Sequence, residues 1–220
     1  MKYATFAIVA FIAFVAAAGN RPSVASDSRN VTSVNDSVEA SAGQTYDNVS
    51  TVNGSVHVRS GATVETAHTV NGEVELESDA KVGNVNTVNG ELEIGAGASV
   101  TRNASTVNGG IRMAKRTRVG GAVSTVSGEI ELNGAEVGGT VTTVNGDIDL
   151  TDGARVRGDL LVKKPGGDWN WNKGHEDPVK VHICATCVVE GDLRFERPVE
   201  LRVDNGAKIG KVIGDSVTRR

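Results

Sequence analysis

From Ser33 to Val162 the apolar residues fall into columns that recur every 18 or 19 positions. The phrase "TVNGEVELE", Thr69 to Glu77, is rewritten with small changes from Ser33, Thr51, Thr87, Thr106, Thr125 and Thr143. Val38, Val56, Val74, Leu92, Ile111, Ile130 and Ile148 make one column, and Ala40, Val58, Leu76, Ile94, Met113, Leu132 and Leu150 make another two residues on. Alternation of this kind is the period of a strand with one buried face. A third column, Val64, Val82, Val100, Val119 and Val156, follows a Gly, Asp or Arg corner and predicts a second short strand. The valine heading each copy (Val34, Val52, Val70, Val88, Val107, Val126, Val144) is expected to point inward as well. Core positions at the start, one third and two thirds of each repeat describe a triangle. The fold predicted is all-β, a single-stranded β-solenoid with one coil per repeat of about 18 residues, its coils pairing as parallel strands about 4.8 Å apart.

The polar positions repeat as strictly. Asn35, Asn53, Asn71, Asn89, Asn108 and Asn145 fall in one column, with Ser127 as the exception, and a glycine follows each except at Asp36. Stacked amides bond along the axis of a solenoid, and the glycine is expected to supply the backbone freedom of a sharp corner. A lone Asn-Gly suggests a hairpin, but hairpins do not keep so constant a period. Pro22, Pro165, Pro178 and Pro198 all lie outside the ladder from Val34 to Val162, as strands that need every amide require.

Lys2, the apolar run Tyr3 to Ala18 and the small residues Ala16 and Ala18 read as a secretory signal peptide over residues 1–18. The run is short for a membrane span. Without it the aromatic residues are Tyr46, Trp169, Trp171 and Phe195, so the core is narrow and aliphatic. Residues 19–32 read as a disordered N-terminal segment, and 33–220 as the solenoid domain with an insertion at 163–182. A formal net charge of −4 with no strongly basic segment argues against a nucleic-acid partner. Localisation is expected to be periplasmic or secreted.

The phrases "STVSGEIELNGAEVGGTVTTVNGDIDL", "GARVRGDLLV", "VVEGDLRF" and "NGAKIGKVIGD" resemble the polymer-forming bactofilins and a bacterial adhesin-like family with "SGDI"-like repeats. The resemblance implies a right-handed triangular β-helix and a structural role, and it carries no catalytic residues. Bactofilins are typically cytoplasmic and lack a secretion signal, and this chain departs from them there and in its insertion.

Three groups of residues are candidates for function. Outward positions after the Asn-Gly corner are acidic: Glu73 and Glu75, Glu91 and Glu93, Glu129 and Glu131, Asp147 and Asp149, with Gly110 and Arg112 interrupting. This strip is either a cation- or partner-binding surface or a solvated face that resists sideways aggregation. In the insertion, Trp169 and Trp171 with Asp168 and His175 stack on a sugar, cover the last coils or form a subunit interface. Cys184 and Cys187 form a disulfide, join a zinc site with His175 and His182, or act in redox exchange. No cofactor, structural metal or catalysis is expected. The favoured reading is a secreted or periplasmic non-enzymatic structural or adhesin-like β-solenoid that self-associates or joins the cell envelope. The alternative is a carbohydrate-binding or polysaccharide-cleaving β-helix.

Overall fold

The computed structural model describes residues 29–165, 177–214 and 216–219, so the signal peptide over 1–18 lies outside them. Every regular element among the described residues is a β-strand. A ten-stranded sheet runs the length of the molecule with one strand per coil, from Val38–Ala40 to Val217–Arg219, each parallel to the next. This is the first face. A 15-stranded branched sheet supplies the other two. In the early coils one long strand covers both, as in Thr45–Asn53 and Thr63–Asn71. Later it divides into a second-face strand such as Ser99–Val100 and a third-face strand such as Ala104–Ser105. The cause is one added residue between Val100 and Ala104, which lengthens the register from 18 to 19 residues. Both inward columns keep their places.

Each face sends two residues per coil inward. In one coil these are Ala80 and Val82, Val85 and Thr87, and Leu92 and Ile94, all buried. The columns beginning at Val38, Ala40 and Val64 are therefore inward as the periodicity predicts. The repeat-heading valines are not: Val34, Val107 and Val126 are 49%, 36% and 39% exposed, and Val52, Val70, Val88 and Val144 are only half-buried. The threonine before each valine takes the inward place. Strand alternation from Val85 puts Asn86 out, Thr87 in and Val88 out. The hydroxyl is tolerated because the corner turns a carbonyl inward: Thr87 Oγ1 donates to Gly72 O at 3.0 Å, and Thr51, Thr69, Thr106 and Thr125 repeat the bond at 2.8–3.1 Å. A valine there cannot make that bond.

The Asn column stacks as predicted. Nδ2 of Asn53, Asn71, Asn89 and Asn108 each donates to Oδ1 of the asparagine one coil earlier, at 2.8–3.1 Å. The glycines beside them serve a different purpose from the one expected. Of this column only Gly128 has a positive φ, but a Cβ on Gly72, Gly90, Gly109 or Gly146 would overlap the carbonyl oxygen of the glycine in the coil before. Close approach of stacked backbones, not left-handed geometry, demands them. Left-handed residues sit instead at the corner between the first and second faces, at Gly61, Asp79, Gly97, Arg116 and Gly206.

Two boundaries move. Asn30–Thr32 is a strand paired with Asn48 to Ser50, so the first coil begins inside the segment read as disordered. The coil resumes at Val179–Ile183, so the insertion ends before residue 179. Its described flanks bond to the next coil: Lys164 N donates to Glu196 Oε2 at 3.3 Å, and Arg197 Nη2 donates to Asp177 O at 3.4 Å, while Arg197 Nη1 donates to Val144 O at 2.8 Å and also binds Asn145 Oδ1.

Candidate functional site

The parallel register stacks outward side chains of the first face one above another. Glu39, His57, Glu75, Glu93, Arg112, Glu131, Asp149, His182 and Arg202 form a single column down the middle of the sheet. The predicted acidic strip is thus part of a mixed ladder in which cations recur. His57 Nδ1 lies 2.9 Å from Glu75 Oε2. Arg112 pairs with Glu91 in the coil before and Glu131 in the coil after, the latter at 3.4 Å. His182 bridges Asp149 at 2.8 Å and Asp204 at 3.1 Å through its two ring nitrogens. Asp147 Oδ1 accepts from Lys180 N at 2.8 Å.

Among the described residues no ion pair reaches Glu73, Glu93 or Glu129. Burial, reinforced by Glu93, Glu91 and Glu75, raises the Glu73 carboxyl above its ordinary value. Burial, then Glu131, Asp147 and Asp149, does the same to Glu129. His182 is raised too: burial opposes its charge, but the hydrogen bonds to Asp204 and Asp149 outweigh it. A shallow, open depression lined by Ser60, Glu75, Glu77, Ser78 and Glu93 lies at the edge of this face. Among the described residues no three His, Cys, Asp or Glu side chains converge as a metal-ligand set. The strand spacing keeps the carboxylates in a row, and a row does not enclose an ion.

Basic residues of the second face are matched in the same way. Glu136 is shared by Arg118, at 2.8 Å, and Arg157, while Arg155 pairs with Glu190 at 2.8 Å. Exposed pairs of this kind each contribute under about 1 kcal/mol. Their regularity fixes register more than it adds stability.

Cys184 and Cys187 are joined in a disulfide at the corner between the first and second faces. Cys187 is buried in the column otherwise held by Ala62, Ala80, Ala98, Thr117, Ala135 and Ala154. With both sulfurs bonded to each other and His182 held by two carboxylates, the zinc set does not assemble. Asp168, Trp169, Trp171 and His175 lie outside the described residues. Sequence reasoning missed His57, His182 and Asp204 as partners of the acids. The insertion hides the second of these, since His182 stands 33 residues from Asp149, nearly twice the ordinary repeat.

The fold and its ladders define the class, a parallel β-solenoid of stacked coils. The chain matches no family model, and neither curated proteins nor solved structures show a significant similarity to it.

Proposed function

We propose that this chain is a non-enzymatic structural rod of the cell envelope or exterior, acting through end-to-end association of its coils. The observation that carries the reading is the state of the last coil. Val203, Ala207, Ile209, Val212 and Val217 extend the core there but remain only partly buried, and Ile213 is 44% exposed. Among the described residues nothing pairs beyond Val217–Arg219. In the two coils before it the matching amide donates forward, Val179 N to Pro198 O at 3.1 Å and Val199 N to Ser216 O at 3.0 Å. Val217 holds the same register as Val199, so its N–H points away from Val199–Val203 and beyond the last described strand, and such an edge is a template for another strand. The motif resemblance to bactofilins, and the leader-like residues 1–18, favour an exported polymer of this kind.

Val217→Pro removes the forward-pointing donor without breaking a bond within the rod. In sedimentation velocity and negative-stain images, the natural chain is expected to form narrow assemblies that lengthen with concentration. The variant is expected to lose that growth. A natural chain that shows no lengthening at its highest soluble concentration overturns the reading.

A further inference from the structure

Over six consecutive coils the residues of the third face carry no formal charge of their own, and Arg197 reaches only their last coil, at Val144 and Asn145. Residues 48–54, 66–72, 84–90, 103–110, 119–128 and 137–146 contain no Asp, Glu, Lys or Arg, in a chain of which 23% of residues are charged. At that frequency an unselected set would hold a charge at every fourth or fifth position. Its central outward column is Ser50, His68, Asn86, Ser105, Ser124 and Thr142, in continuous parallel register. Along one edge stands the ridge of outward valines from Val34 to Val144, rising about 29 Å over seven coils at the strand spacing. His68 is the one titratable side chain in the strip. Burial lowers its pKa against an opposing backbone hydrogen bond at Asn86, which keeps it neutral at neutral pH.

We propose that this face is a pairing surface for a second copy of the chain, two rods lying side by side with their valine ridges and Ser/Asn rows in contact. A two-fold contact sets each surface against itself, so charges of one sign near the axis meet their own kind. The first and second faces carry ionised side chains of both signs already paired within the rod, so a two-fold contact there has to desolvate or realign those pairs. The third face avoids that cost. Hydroxyl and amide groups both donate and accept, so rows of Ser, Thr and Asn complement themselves, and evenly spaced valines mesh as in a dry zipper. A strongly charged partner would find nothing here to pair with. The strip measures about 29 Å by 16 Å, taking five residues across at 3.3 Å each. That is about 900 Å² over both copies, below the range of stable complexes and in that of a weak, reversible dimer.

This contact is independent of the rod's ends and closes at two copies, whereas end-to-end growth does not close. Sedimentation equilibrium on the full chain, in the natural sequence and in a Val217→Pro background, separates the two. A concentration-dependent monomer–dimer equilibrium is expected in the Val217→Pro background, and in the natural sequence the same pairing is expected on top of end-to-end growth. Ser105→Lys with Ser124→Lys puts like charges at the centre of the contact and is expected to weaken the dimer at least about tenfold. The same charge change on exposed positions elsewhere, Ser78→Lys with Asn133→Lys, is expected to leave it unaltered. Val107→Ser with Val126→Ser, conservative changes on the ridge, are expected to weaken it with an unchanged circular dichroism spectrum. A Val217→Pro chain that stays monomeric at its highest soluble concentration, or a dimer indifferent to the Ser105 and Ser124 lysines, overturns the proposal.

Discussion

The buried threonines make the same bond five times and fail to make it once. Thr143 Oγ1 is buried without a partner, while Thr87 donates to Gly72 O. Replacing each with isosteric valine should therefore give unequal results. Thr87→Val leaves a buried carbonyl without that donor and should cost about 1–3 kcal/mol; Thr143→Val removes an unsatisfied hydroxyl and should be neutral or stabilising. Chemical denaturation of the two variants checks the contrast. Equal losses would remove the hydrogen bond as the reason threonine is inside. His182 offers a pH test. Its pKa is raised in the folded state, so its contribution is complete below its ordinary value of 6.5 and is lost as pH rises through the folded value. Thermal melts should show His182→Gln less stable than the natural chain at pH 6, with the gap narrowing as pH rises through the folded value. Because the ring is partly exposed, the gap should stay under about 1 kcal/mol. His68 runs the other way: its pKa is lowered, so stability from its neutral form is lost as pH falls. His68→Gln is the control of opposite sign.

At the scale of the coil, the corner between the first and second faces shows what two cysteines replace. Ala80, Ala98 and Ala154 N–H each close a turn onto the carbonyl three residues earlier, and so does Cys187 onto Cys184 at 2.9 Å. Asp79, Gly97 and Gly153 have positive φ in those turns; neither Ala185 nor Thr186 does. The disulfide holds the one turn that lacks a left-handed residue. Cys184→Ser with Cys187→Ala should cost about 2 kcal/mol by the loop-closure model for so short a ring, measured as a shift in the denaturation midpoint. No loss would mean that the turn closes without the bond. The same corner shows which parts of the fold are legible beforehand. Val74 and Leu76 alternate with charged residues, so their inward direction is plain from polarity. Thr87 and Val88 reverse the usual assignment, because a hydrogen bond with an inward carbonyl decides it, and that carbonyl belongs to a residue fifteen positions away. The acidic column is likewise visible as residues but not as a ladder, since only register shows that Arg112 falls between Glu93 and Glu131. The disulfide is legible as one pairing among several readings. The charge-free strip is present in the sequence, but reading it as a face depends on knowing that Val88 and its counterparts point outward.

The described residues form a stack in which every coil adds a similar core, so the mechanical unit is the coil. Aromatic side chains mark both ends: Tyr46 is buried in the second coil, where its hydroxyl accepts from Ser41 N at 3.1 Å, and Phe195 is buried one coil before the last. Near the insertion, Arg197 takes up Asn145, which Ser127 has separated from the other asparagines. That separation leaves an uninterrupted amide row from Asn35 to Asn108, in which every N–H points toward the start of the chain and every oxygen away from it. Aligned amides sum their dipoles, as they do along a helix. The row is therefore an electrical arrow lying beside the valine ridge, positive at the first coil and negative toward the middle of the rod. Two rods side by side in the same sense would set these arrows against each other, and in opposite senses would let them cancel, so the geometry of the asparagine row selects antiparallel pairing.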